Sequence, residues 1–81
     1  DYNSLQIARG VVLGEANLEL NDLSYDVLGG FIEEAAHQDR VTAPFLLGKA
    51  AAYIDVAFVL ELITQAEAEE LLLCIQIYQG M

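Results

Sequence analysis

Residues 50–63, AAAYIDVAFVLELI, decide how this chain folds. They belong to a chain of 81 residues with a formal net charge of −10, so an apolar run of this length needs something to cover it. Lys49, Asp55 and Glu61 follow one another at intervals of six residues. At about 100° per residue they point in three directions about 120° apart, so a helix through them has no polar face. A helix apolar on every side is normally enclosed on every side. The expected cover is other helices of the chain, the first, second and fourth around the third, with a second copy supplying what they leave.

A membrane is the other candidate. Residues 43–63 have about the length of a bilayer-spanning helix. A central Lys or Asp, however, costs about 2.5–3.5 kcal/mol on insertion scales. Lys49 and Asp55 therefore favour cover by protein, with no membrane partner. No basic-then-apolar leader is seen, so no targeting signal is expected from this stretch.

Working outward, Thr42 is expected to cap the apolar helix, and Pro44 suits its first turn, where an amide has no intrahelical acceptor. After it, Thr64-Gln65-Ala66-Glu67 reads as a capping box opening a fourth helix, with Glu67, Glu69 and Glu70 near its positive end. A tight turn at Ile63 and Thr64 makes the third and fourth helices an antiparallel hairpin. Leu71, Cys74, Ile75 and Tyr78 line one face of the fourth helix while Leu73 and Ile77 lie opposite, so this hairpin wants burial on two sides. A short strand over residues 71–78 is the alternative.

Toward the start, Asn3 or Ser4 is expected to cap a first helix with Leu5, Ala8, Val11, Val12 and Ala16 at helical spacing. Gly10 and Gly14 weaken it but, four residues apart, allow a neighbouring helix to come close. A strand over LQIARGVVL is the alternative. Asn21 or Ser24 opens a second helix bearing Leu23, Val27, Leu28, Phe31, Ile32 and Ala35, and HQDRVTA reads as a polar connection. The fold class is therefore all-α: a small bundle of about four helices over a single domain, residues 1–81, the last two forming the apolar antiparallel hairpin.

Such a small domain buries only about 60–65 % of the surface its unfolded chain exposes, so it commonly draws on disulfides, a metal or a second subunit. Cys74 is the only cysteine and His37 the only histidine, which excludes an intrachain disulfide and a thiolate zinc cage. A lone thiol suits a reducing, cytoplasmic setting. Hydrophobic residues make up 56 % of the chain, above the usual share of about 45–50 %. Self-association to a homodimer or larger oligomer is the expected outlet, through Phe58, Leu62, Leu73 and Ile77.

The acids are unevenly spread. Between Arg9 and Arg40 stand seven acids and no base, and after Lys49 five more acids and no base. Glu15, Glu19, Asp22, Asp26 and Glu33 are spaced by four, three, four and seven residues, one row if a helix runs through NLELND. Such a row, about 6 Å apart along the axis, approaches the phosphate spacing of a nucleic-acid strand. On that reading the face imitates DNA before a basic nucleic-acid-binding protein. On the plainer one it is a solvated surface that keeps an apolar chain soluble, and a break at Asn21 would scatter it. Three basic residues exclude direct nucleic-acid binding.

Catalytic signatures are sparse. Glu34-Ala35-Ala36-His37 resembles, over those four residues, the Glu-x-x-His pair of carboxylate di-iron bundles. That resemblance implies a dimer supplying the second pair, with Glu15 or Glu61 as a further ligand. The plainer reading places His37 at a helix C-terminus, where it suits the dipole. Neither Ser4 nor Ser24 lies in a nucleophile elbow, LLLCIQIY gives Cys74 a packing role, and no phosphate loop or dinucleotide fingerprint is present. No cofactor is expected. The sequence thus points to a non-enzymatic, acidic interaction protein that binds and inhibits or regulates another macromolecule, of the class of small phage or plasmid inhibitors. A pure assembly module is the first alternative and a dimeric carboxylate metal protein the second.

Overall fold

The computed structural model describes residues 2–15 and 17–80. Four helices follow in order: α1 (Tyr2–Val12), α2 (Tyr25–Ala36), α3 (Thr42–Val59) and α4 (Gln65–Gln79), with a short 3-10 turn at Leu20–Asp22. No strand occurs among the described residues, so 71–78 lies wholly in α4 and the segment LQIARGVV in α1.

Gly14 ends α1 rather than serving inside it. Its φ is +78°, the left-handed value glycine adopts at no steric cost. There Glu15 N–H donates to the Gly10 carbonyl (2.8 Å) and Gly14 N–H to Val11 (3.2 Å), the paired bonds of a Schellman stop. At the other end, Asn3 and Ser4 lie inside the first turn of α1 and not ahead of it. Ala16 lies outside the described residues.

Ser24 opens α2 as the sequence expects, its Oγ accepting from Val27 N–H at 3.2 Å. The opening of α3 differs. Asp39, three residues before Thr42, accepts from the backbone N–H of Thr42 (2.7 Å) and of Val41 (3.0 Å), and its carbonyl takes Ala43 N–H. A carboxylate reaches two orphan amides at once, so Asp39 does the capping and Thr42 is already helical. At its far end α3 stops at Val59, before Glu61, which adopts φ +60° so that Leu62 N–H can reach the Ala57 carbonyl at 2.9 Å. The Thr64 and Glu67 capping box then forms in full.

The centre of the bundle is α2, not α3. α2 packs against each of the other three helices, α3 packs on α2 and α4, and α1 leans chiefly on α2. Six of the twelve residues of α2 are buried, against five of the eighteen in α3. Helical spacing explains the difference: Leu28, Phe31, Ile32 and Ala35 turn one side of α2 to α3 and α4, while Gly30 turns another to Ala8 of α1. Leu47, Ala50, Ile54 and Ala57 are the side of α3 that answers, and Leu71 and Ile75 that of α4. Phe31 meets Tyr53 edge to face, with ring centroids 5.7 Å apart. The expected enclosure of α3 by three helices is thus not what forms, and one side of α3 faces outward. α3 is also long and apolar enough to cross a membrane by length and composition, with 28 % of it buried in the bundle.

Candidate interaction surfaces

The outward side of α3 is centred on Ala52. At about 100° per residue, Phe45 and Val59 lie within about 20° of Ala52, and Gly48 and Val56 within about 40°. All five are exposed, Phe45 to 68 % and Val59 to 77 %. Lys49 and Asp55 fall about 60° to either side, so they flank an apolar strip about 21 Å long rather than interrupt it. Lys49 Nζ stands 6.0 Å from the centre of the Phe45 ring, along the edge of the strip. A Cβ on Gly48 would meet nothing within 4 Å, so no packing inside this chain calls for a glycine there.

The four residues that the sequence proposes for self-association are all exposed, in two separate places. Phe58 and Leu62 line one hollow at the tip of the hairpin, together with Val59 and Ile63. Leu73 and Ile77 lie one turn apart on the outer side of α4, at 56 % and 58 % exposure. Sequence reasoning missed the strip on α3. The signal was in the spacing: two charges placed symmetrically about Ala52 mark the borders of a face.

The five acids of the expected row do not share a helix. Glu15 follows the Gly14 stop, Glu19 precedes the 3-10 turn, Asp22 ends it, and only Asp26 and Glu33 are on one helix, α2. The helix that would have aligned them breaks at Gly14, so the acids at 15 and 19 lie outside any helix and Asp22 lies on the 3-10 turn. Asp26 and Glu33 instead border a groove of about 310 Å³ floored by α2, with Leu5 of α1 on one side and Leu71, Cys74 and Tyr78 of α4 on the other. Tyr25 ties α2 to α4 there, its hydroxyl donating to Glu70 Oε1 at 2.7 Å. That bond to a carboxylate, with the negative charge behind it, holds the Tyr25 phenol above its usual value.

Glu34 and His37 are engaged by different partners. Glu34 Oε1 takes a hydrogen bond from Arg9 Nη2 at 3.2 Å, joining α1 to α2. His37 ends α2, with its Nδ1 2.6 Å from the Glu33 carbonyl. Among the described residues no group of three or more His, Cys, Asp or Glu side chains is placed to hold a metal ion. Neither is any charged or polar residue among them buried. A third hollow, of about 920 Å³, opens between the α2–α3 turn and the end of α4, bordered by His37, Arg40, Leu47 and Tyr78.

No protein-family model, curated protein or solved structure matches this chain.

Proposed function

We propose that this is a non-enzymatic interaction protein of the cytoplasm, and that its first partner is a second copy of itself, docked along the outer side of α3. The observation that carries the reading is the apolar strip from Phe45 to Val59, left uncovered on a helix of eighteen residues. A contiguous apolar face of that length on a small protein is characteristic of an interface. Its small central residues, Gly48 and Ala52, suit close approach of another helix. The surface also supports the reading by its area. A folded chain of 8.9 kDa exposes about 4,800 Å² by the usual scaling. This one exposes 5250 Å². A stable dimer covers about 800 Å² on each partner.

Assembly also supplies what a domain of this size lacks. With one cysteine, its reserve of stability is further apolar burial, and Cys74, a half-buried free thiol, suits a reducing compartment. The acids then keep the assembled protein soluble and repel unproductive contacts. DNA mimicry in its sharpest form asked for one helical row of acids, and the placement of Glu15, Glu19 and Asp22 outside α1 and α2 weakens the case for it. The test is the double substitution Val56→Gln and Val59→Gln, which keeps the net charge and touches only exposed positions. The reading expects a lower mass in light scattering with unchanged helical circular dichroism. An unchanged mass would remove the α3 strip as the interface.

A further inference from the structure

We propose that the hollow between the α2–α3 turn and the end of α4 binds a small amphiphilic monocarboxylate, an apolar chain or ring that ends in one carboxylate. This goes beyond the reading of the chain as a self-associating protein, and it uses another face. The hollow measures about 920 Å³, near the upper end of the range for small-molecule sites, about 300–1,000 Å³. Its apolar lining is Ala36 from the end of α2 and Ala43, Pro44 and Leu47 from the start of α3, with Tyr78 closing it from α4. Ala43 and Leu47 stand about 180° and about 140° around α3 from Ala52, away from the outward strip.

The polar groups at the hollow favour an anion. Asp39 borders it, but its carboxylate already takes the Thr42 and Val41 amides, 2.7 and 3.0 Å away. His37 Nδ1 stands 2.6 Å from the Glu33 carbonyl, which can only accept, so the neutral ring keeps its hydrogen there and turns no donor to the hollow. The charged donor that remains is Arg40. Among the described residues Arg9 pairs with Glu34 and Lys49 stands over Phe45, whereas the Arg40 side chain has no ion pair or hydrogen bond. The Tyr78 hydroxyl is a second donor without a hydrogen bond among them, on a half-buried residue. A guanidinium fork takes both oxygens of a carboxylate at once and repels an ammonium head.

The net charge of −10 does not oppose this locally. Residues 35–54 hold one acid, Asp39, against Arg40 and Lys49. Within α3 and α4 the nearest acids are Asp55 and Glu70, each eight residues, or about 12 Å along the helix, from Leu47 and Tyr78 respectively. The Debye length at physiological salt is about 8 Å, so their repulsion is largely screened. Glu33 lines the separate groove between α1 and α4.

The probe is octanoate, titrated into the isotope-labelled full chain and followed by amide chemical shifts, with octan-1-ol as the neutral comparison. Octanoate should saturate at about millimolar concentration, as expected for so few atoms. The largest shifts should fall in residues 36–47 and 76–79. Arg40→Gln, at an exposed position, should weaken octanoate about fivefold and leave octan-1-ol within about twofold of the parent. Arg40→Lys keeps the charge without the fork and should fall between. Lys49→Gln removes the same charge from the edge of the α3 strip and should change octanoate binding less than about twofold. Equal weakening by Arg40→Gln and Lys49→Gln would show general attraction to the less acidic part of the chain and overturn the proposal. So would the absence of a saturable shift, an affinity that Arg40→Gln leaves unchanged, or shifts centred on Phe45, Ala52 and Val59, which would place the ligand on the α3 strip.

Discussion

Gly30 of α2 lies so close to Ala8 of α1 that a Cβ on it would stand 3.2 Å from the Ala8 Cβ. Ala8 is fully buried, and α1 leans chiefly on α2, so this contact sets how α1 docks. Replacing Gly30 by valine should cost about 1–3 kcal/mol through overpacking. Gly48→Ala, with open space around its Cβ, should instead stabilise the isolated chain by up to about 1 kcal/mol. Urea unfolding of the two variants checks the contrast, and amide exchange in α1 should quicken for Gly30→Val alone.

The α4 capping box is reciprocal. Thr64 N–H donates to Glu67 Oε1 at 2.9 Å, and Glu67 N–H donates to Thr64 Oγ1 at 3.1 Å. Thr64→Ala removes one bond and leaves an orphan amide at the positive end of the helix. A loss of about 1 kcal/mol is expected in chemical unfolding, with Thr64→Ser close to the parent.

Acid should act on the start of α3. The Thr42 and Val41 amides hold the Asp39 carboxyl below its ordinary range, Thr42 contributing most. A carboxyl depressed in the folded state stabilises it above the unfolded value and loses that contribution as pH falls through the folded value. Thermal melts should therefore show the parent losing stability more steeply below about pH 4 than Asp39→Asn, whose cap does not titrate. At neutral pH Asp39→Ala should melt lower than either.

Glu61 occupies the left-handed region at φ +60°, where a side chain is crowded against its own backbone. Glycine fits that position without the penalty. Glu61→Gly should raise the unfolding free energy by up to about 1 kcal/mol, and a variant that unfolds more easily would mean that the Glu61 side chain has a role in the turn.

Much of the architecture was legible in local signals. Ser24 and the Thr64 capping box act within four residues, and both form where the sequence places them. Asp39 was hidden because Thr42 is a good cap residue too, and the choice between them depends on which one the preceding turn brings to the amides. The centre of the bundle was also hidden. Composition marks α3 as the most apolar helix, but burial follows the geometry of contact, and Gly30 lets α2 gather neighbours that α3 does not have. The acids from 15 to 33 share a spacing that suggests a row only while no glycine turns the chain at 14. What the pattern did carry was the pair Asp26 and Glu33, seven residues apart on one side of α2.

The most direct measurement is the mass of the parent chain by light scattering over a range of concentrations, repeated at rising salt. Self-association through α3 predicts a mass above the 8.9 kDa of one chain, increasing with concentration and with salt as repulsion between the acidic copies is screened. A mass of one chain at every concentration and salt would contradict the account and leave the α3 strip without its proposed partner.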